Sequence, residues 1–512
     1  MKQMINGYRS LITSHKFSRR SILKGLALSM LTILAPVRAY SATRSLNIIL
    51  GRPTATGGAI SIIADAATKM YIEFGYSKTN LNLKTKIIDS APNVPTIFDL
   101  ANLKSNSTVY YRVRSKDSTE KTYQISEVNY FSTQKKISST FSFVVQGDSH
   151  PERAGKMFNS DLYYRTLQNI ASQKPDFMIM LGDDFSIDPL IEKGQADQAR
   201  VENIYATQRK WLTTSAKNVP LFLVNGNHEQ AAAYLLDGTS TNPAVLAGNA
   251  RLKFFPLPDL SSFYSADAEE IPNVGRPRDY YSWTWGDALF ITLDPYWHSK
   301  NPVDNVAGVS ADSSQTNNST KTNNSTQTNN KGGQKTGDLW SIGIGDTQYA
   351  WFKSTLESSK AKFKFVFAHH VMGTGRGGVE VSTQYEWGGQ DPKGNKTFAQ
   401  MRPNWDLPIH DLMVKNGVNI FFQGHDHIFV HQERDGLIYQ SMPNPADDTF
   451  TMFNDAAYLS GTKAPNSGHV RVTVSSTQAQ VEYFLSARPQ DETAGRVNMQ
   501  IAHSYVVKPR SQ

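Results

Sequence analysis

The 512-residue chain contains no cysteine, and that absence removes two kinds of chemistry together. No thiolate can hold a metal or attack a substrate. No disulfide can staple the fold, so stability must rest on an apolar core, for which the chain is long enough. Any metal site has to be built from His, carboxylate or amide groups, a donor set suited to Zn, Mn or Fe. Apolar length is short as well. The run from Gly25 to Val37 has 13 residues, against the ~20 that span a bilayer, so no permanent membrane anchor is expected.

Excess charge is also scarcer than the total implies. The net formal charge is +8, but residues 1–39 hold seven Lys or Arg and no acid, so only about one positive charge belongs to the rest. Without a basic domain, nucleic-acid binding is not expected. The basic stretch Ser18 to Lys24, the short apolar run and the small residues Ala39, Ser41 and Ala42 describe an export signal over 1–39. Arg19-Arg20 followed by Ile22-Leu23-Lys24 resembles a twin-arginine signal, an address read by the twin-arginine export machinery. The other reading is an ordinary secretory signal that carries two arginines. Either places the protein in the periplasm or outside the cell.

What the chain does have is bulk for a core: 39% of its residues are hydrophobic, which suits a soluble globular protein and excludes disorder throughout. Between 43 and 134, short apolar segments (Leu46–Leu50, Ala59–Ala64, Met70–Tyr76, Thr96–Leu100, Tyr110–Arg114, Val128–Phe131) alternate with turn residues. That spacing predicts an all-β sandwich. Its stretch from Leu103 to Val113 resembles the Leu-Lys-Pro-x-Thr-x-Tyr pattern of fibronectin type III domains, with Ser105 in place of the proline.

From 137 to 490 the pattern becomes strand, helix, strand. Phe141–Val145, Phe177–Leu181, Leu221–Val224, Phe363–Ala368 and Ile420–Phe422 read as buried strands. Tyr163, Leu167 and Ile170, like Tyr349, Phe352 and Leu356, recur at helical spacing. Together they predict a layered α/β domain. A polar insert at 312–337, with repeated Thr-Asn-Asn triplets, cannot bury apolar surface and is expected to be disordered. Residues 491–512 read as a tail.

Each of the five strands ends in side chains of metal-ligand type: Gly147-Asp148-Ser149-His150, Gly182-Asp183-Asp184, Gly226-Asn227-His228-Glu229, His369-His370 and Gly424-His425-Asp426-His427. Sites in open α/β sheets form at the carboxyl ends of strands. A zinc-protease HExxH helix is absent, and His425-Asp426-His427 does not extend into an HxHxDH string.

The order of these motifs resembles that of the calcineurin-like metallophosphoesterases. The resemblance implies two β-sheets flanked by helices and a phosphate ester hydrolase with two metal ions, divalent or of mixed valence. It implies that Asp148, His150 and His427 hold the first ion, that Asn227, His369 and His425 hold the second, and that Asp183 bridges them. A metal-bridging hydroxide would attack, and His228 would protonate the leaving group. The substrate would be a small phosphate mono- or diester. Purple acid phosphatases share the two-domain plan, but their pattern has Gly where this chain has His150 and Tyr where it has Ser186.

The neighbouring residues leave choices open. His370 follows His369, and adjacent side chains on an extended segment point opposite ways, so His369 is the favoured ligand and His370 a candidate for substrate. Arg376, in a glycine-rich loop, either faces a phosphate or belongs to a plain turn. Asp184 either orients a ligand or faces solvent. The alternative function is an inactive exported protein that binds a phosphate ligand, though none of the eight expected positions is missing.

Overall fold

The computed structural model describes residues 45–510 apart from 230–235, 300–302, 304–338 and 372–375. The export-type segment and the polar insert at 312–337 therefore lie outside the described residues. Among the described residues, no helix is long and apolar enough to cross a membrane.

Two mixed sheets pack face to face, with helices over their outer faces. One has nine strands and contains Phe141–Gln146, Phe177–Met180 and Leu221–Leu223, which run parallel side by side. The other has eight strands and contains Ala288–Thr292, Phe363–Phe367, Ile420–Gln423 and Leu437–Ser441, again parallel. Period-two patterning sorts their side chains. Phe141, Phe143 and Val145 enter the core between the sheets while Val144 faces the helices outside. Phe363, Phe365 and Phe367 do the same from the facing sheet, with Val366 turned outward. The shared core is strongly aromatic: Phe143 stacks on Phe177 at 5.6 Å and meets Phe290 edge-on at 5.0 Å.

The two helical periods expected from sequence are helices here. Ser160–Gln173 starts at Asn159, whose side chain accepts from the amides of Asp161 and Leu162, and it lays Tyr163, Leu167 and Ile170 on the nine-stranded sheet. Gly345–Ser358 covers the other outer face with Tyr349, Phe352 and Leu356.

The N-terminal β-sandwich is present, with a core of Ile48, Leu50, Ile60, Ile62, Ile72 and Val113. It is not closed off from the rest, however. Asn47–Gly51, Gly58–Ile63 and Thr96–Leu100 continue the nine-stranded sheet, joined in parallel through Gly51 and Leu221. Arg209, fully buried on the helix Gln198–Ala216, reinforces the junction by donating to Asn47 Oδ1, Ser61 Oγ and the Ser61 carbonyl. At the other end, residues 491–510 are more than a tail, because Ile501–Val507 pairs with Ala479–Leu485 at the sheet's far edge.

Because the two parallel strand sets pack against each other, their carboxyl ends meet at one rim. The five motifs follow those ends.

Candidate metal centre

Side chains from both sheets converge at this rim in two groups. Asp148, His150 and His427 form one, and Asp183, His369 and His425 the other; His150, Asp183 and His228 make a third grouping that overlaps both. In the first, His150 Nε2 lies 3.0 Å from His427 Nε2, which lies 3.1 Å from Asp148 Oδ2. In the second, His369 Nε2 is 3.0 Å from Asn227 Oδ1, 3.1 Å from His425 Nδ1 and 3.1 Å from Asp183 Oδ2. Asp183 Oδ2 also lies 3.5 Å from His150 Nε2, so one carboxylate oxygen serves both groups.

Backbone shape makes this convergence possible. Asp183, His150, His425 and His427 all have left-handed backbones, with φ of 60°, 48°, 69° and 53°. Such conformations are costly for residues other than glycine and cluster at functional sites. A methyl group at Gly226 would stand 2.5 Å from the Asp183 amide nitrogen and 2.7 Å from Glu229 Oε2. Gly226→Ala is therefore expected to destabilise the fold by about 1–3 kcal/mol, the range for overpacking, and to reduce retained metal. Thermal denaturation and metal analysis check this, and an unchanged melting temperature would remove the close-approach argument.

Glu229 holds the rim together from beneath. Fully buried, it accepts from the amides of Asp183 at 2.7 Å, Asp184 at 2.5 Å, Phe185 at 3.1 Å and Gly226 at 2.7 Å. The second and third motifs are thus tied together. Asp184 is also buried rather than solvent-facing, and it accepts from Ser149 Oγ between the two ligand-type residues of the first motif.

The donor set fits metal ions on several counts. Burial first, then Arg153 and His427, pushes His150 well below its ordinary value, and burial with Arg376 does the same for His425. Both imidazoles are therefore neutral and carry a lone pair. His369 Nδ1 donates to the Leu181 carbonyl at 2.8 Å, which leaves its Nε2 lone pair facing the cluster. Asp148 Oδ1 is buried without a hydrogen-bond partner. Facing lone pairs and an orphaned carboxylate oxygen describe a cradle for cations. Without them, burial would lower His369, but Asp183 and Asp148 raise it to about 10, so a proton takes up the charge.

His228 stands beside the two groups. Its Nδ1 donates to Asp188 Oδ2 at 2.6 Å, and its Nε2 lies 3.9 Å from Asp183 Oδ2 and 3.2 Å from an Arg153 nitrogen. Burial would lower this imidazole, but Asp183 and Asp188 overcome it and hold it at about 9. Cations on Asp183 would cancel part of that lift and leave Asp188 as the main support.

The remaining residues singled out from sequence flank the second ligand group without belonging to it. His370 packs its ring 4.9 Å from that of His425 and contacts the Tyr296 hydroxyl at 3.2 Å. Burial, with His369, lowers it to about 3. Arg376 donates to the His425 carbonyl at 2.9 Å and to Asp426 at 3.2 Å, so it braces the last motif. Asp188, Arg153 and Glu152, which sits 2.7 Å from His150 Nδ1, were not visible as site residues. Glu152 and Arg153 follow His150 in the turn just past the first motif, and only the fold brings Asp188 in.

A buried His and Asp centre of this shape, at the strand ends of two packed sheets, defines a metal-dependent phosphoester hydrolase. The sequence profile of the calcineurin-like phosphoesterases matches residues 141–429, more than half of the chain. The chain belongs to that family. No curated protein matches it in sequence. Among solved structures it is similar in fold to PhoD, with a TM-score of 0.60 at 15% identity over 91% of each chain. It is similar also to the purple acid phosphatase PPD1 of yellow lupin (Lupinus luteus) seeds, with a TM-score of 0.55 at 14% identity over 90% of this chain and 74% of that one.

Proposed function

We propose that the protein is an exported phosphoesterase with a binuclear centre, acting on phosphate mono- or diesters. Asp148, His150 and His427 would hold one ion, Asn227, His369 and His425 the other, with Asp183 common to both. The observation that carries this reading is the Asp183 oxygen within 3.1 Å of His369 Nε2 and 3.5 Å of His150 Nε2. When bound, two such cations supply positive charge against the phosphoryl oxygens and acidify the attacking water.

The chain's own groups supply the rest. Asp188, beside Nδ1, favours the protonated imidazole of His228, which would give its Nε2 proton to the departing alkoxide. Asp188 fixes the tautomer by accepting from Nδ1, so the proton for transfer sits on the nitrogen facing the cluster. Arg153, partly exposed beside Nε2, adds positive charge where a phosphoryl oxygen would approach.

The test is hydrolysis of mono- and bis-p-nitrophenyl phosphate by metal-loaded and chelated protein. Metal-dependent turnover of at least one ester is expected. Turnover of neither, with about two ions bound per chain, would overturn the reading.

A pH profile isolates His228. A group that acts as an acid works below its folded pKa, so activity falls as pH rises through that value. Asp188→Asn removes one of the charges that raise His228, so the alkaline limb is expected to move to lower pH by about one unit, equivalent to ~1.4 kcal/mol. An unmoved limb would detach Asp188 from that role.

A further inference from the structure

A second set of metal-type side chains meets at the outer end of the eight-stranded sheet. Asp267 follows the edge strand Ser265–Ala266, Asp279 precedes Tyr281–Trp285, and His298 follows Ala288–Thr292. These three strands run antiparallel to one another in turn, so the end of the first, the start of the second and the end of the third share one rim. The ladder extends beyond the edge strand, because the Asp267 amide donates to the Tyr280 carbonyl at 3.1 Å. A turn in which the His298 amide donates to the Pro295 carbonyl at 3.2 Å brings the imidazole back over the two carboxylates.

The cluster is buried and short of positive charge. Asp267 is 1% exposed, Asp279 is not exposed, and the His298 side chain is 8% exposed. Each offers one ligand atom, and those atoms lie within 4.8 Å of one another. His298 Nε2 is 3.0 Å from Asp279 Oδ2, while its Nδ1 faces Glu269 Oε2 at 3.8 Å. Asp267 Oδ1 accepts from the Glu269 amide at 2.8 Å. The Tyr280 hydroxyl neighbours the Asp267 carboxylate, but Asp267 Oδ2 and Asp279 Oδ1 are buried with no hydrogen bond of good geometry. Three carboxylates therefore surround a single imidazole. Among the described residues, no lysine or arginine pairs with either aspartate.

We propose that Asp267, Asp279 and His298 form a metal site apart from the catalytic centre, taking a divalent cation of the zinc or manganese type. A buried carboxylate oxygen without a partner is costly, by about 1–3 kcal/mol or more when charged, and a cation removes that cost for both oxygens together. One imidazole nitrogen with two carboxylates suits zinc or manganese rather than calcium, which prefers an all-oxygen shell. Glu269, 3.8 Å from Nδ1, stands within a small side-chain movement of the outer-carboxylate position that orients metal-ligating histidines. The site would pin the turn 294–298 to the sheet edge. That turn begins at Asp294, which accepts from Asn225 Nδ2 at 2.6 Å, two residues before Asn227.

Native mass spectrometry after loading with zinc or manganese tests the site. The wild type is compared with Asp267→Asn and His298→Ala, each checked for folding by circular dichroism. Both variants are expected to carry one metal equivalent fewer than the wild type while keeping hydrolysis of p-nitrophenyl phosphate within a few fold. Equal metal content in wild type and variants would overturn the proposal and leave an imidazolium ion pair in its place. Should His298→Ala fail to fold, the near-isosteric Asp267→Asn decides. One equivalent in the wild type and none in the variants would support this site while removing the binuclear reading of the catalytic centre.

Discussion

Asp183→Asn is expected to lower kcat/KM by about 10³-fold, roughly 4 kcal/mol of transition-state stabilisation. The substitution keeps the shape of the side chain and removes its charge. It also replaces one oxygen with an NH2, which cannot serve two neighbouring imidazole groups as Oδ2 does. Burial disfavours the charge on Asp183, yet His369, His228 and His150 overcome this and hold its carboxyl well below the usual range. The negative charge is thus part of the resting site, and both ligand groups depend on it. Steady-state kinetics with metal analysis checks the outcome. Retained activity with an unchanged metal content would remove Asp183 from the shared position.

His228→Ala is the second large effect, and its size depends on the leaving group. For an alkyl phosphate, kcat is expected to fall about 10²–10⁴-fold, the usual contribution of a positioned acid. For p-nitrophenyl phosphate the loss is expected to be far smaller, because nitrophenolate departs without needing a proton. Metal content should stay at the wild-type level, since all seven proposed ligands remain when His228, which neighbours His150 and Asp183, is removed. Equal losses on both esters would assign His228 to holding the site instead of to proton transfer.

Much of this arrangement was legible in the sequence because it is local. A short buried strand followed by a ligand-type residue is a pattern within one segment, and five such segments occur, four of them with Gly before the ligand. Their convergence was less legible, since it depends on which strands run parallel and pack. The family order of the motifs supplied it. Alternation along an extended segment separated His369 from His370, and the resemblance chose His369.

Other features had no local signature. Asp188 reaches His228 from a separate short helix, and Glu229 sits inside a recognised motif but works through four amides spread over two motifs. Arg376 read either as a phosphate contact, because Arg matches phosphate oxygens bidentately, or as part of a plain glycine turn. Here the His425 carbonyl and Asp426 satisfy it. The edge strand Ile501–Val507 lacked an apolar run because most of its side chains are exposed. The union of the N-terminal sandwich with the larger sheet was equally invisible, since backbone pairing across 170 residues (Gly51 with Leu221) leaves no trace in side-chain pattern.

That union bears on how the molecule can be cut. A chain begun after the sandwich, at about residue 135, would expose the open side of Leu221–Leu223, the strand that leads into Asn227. Unpaired strand edges recruit other chains, and Arg209 would lose Asn47 and Ser61 as acceptors. The N-terminal module thus serves as the margin of the catalytic sheet, and its removal should yield aggregates in place of a smaller enzyme.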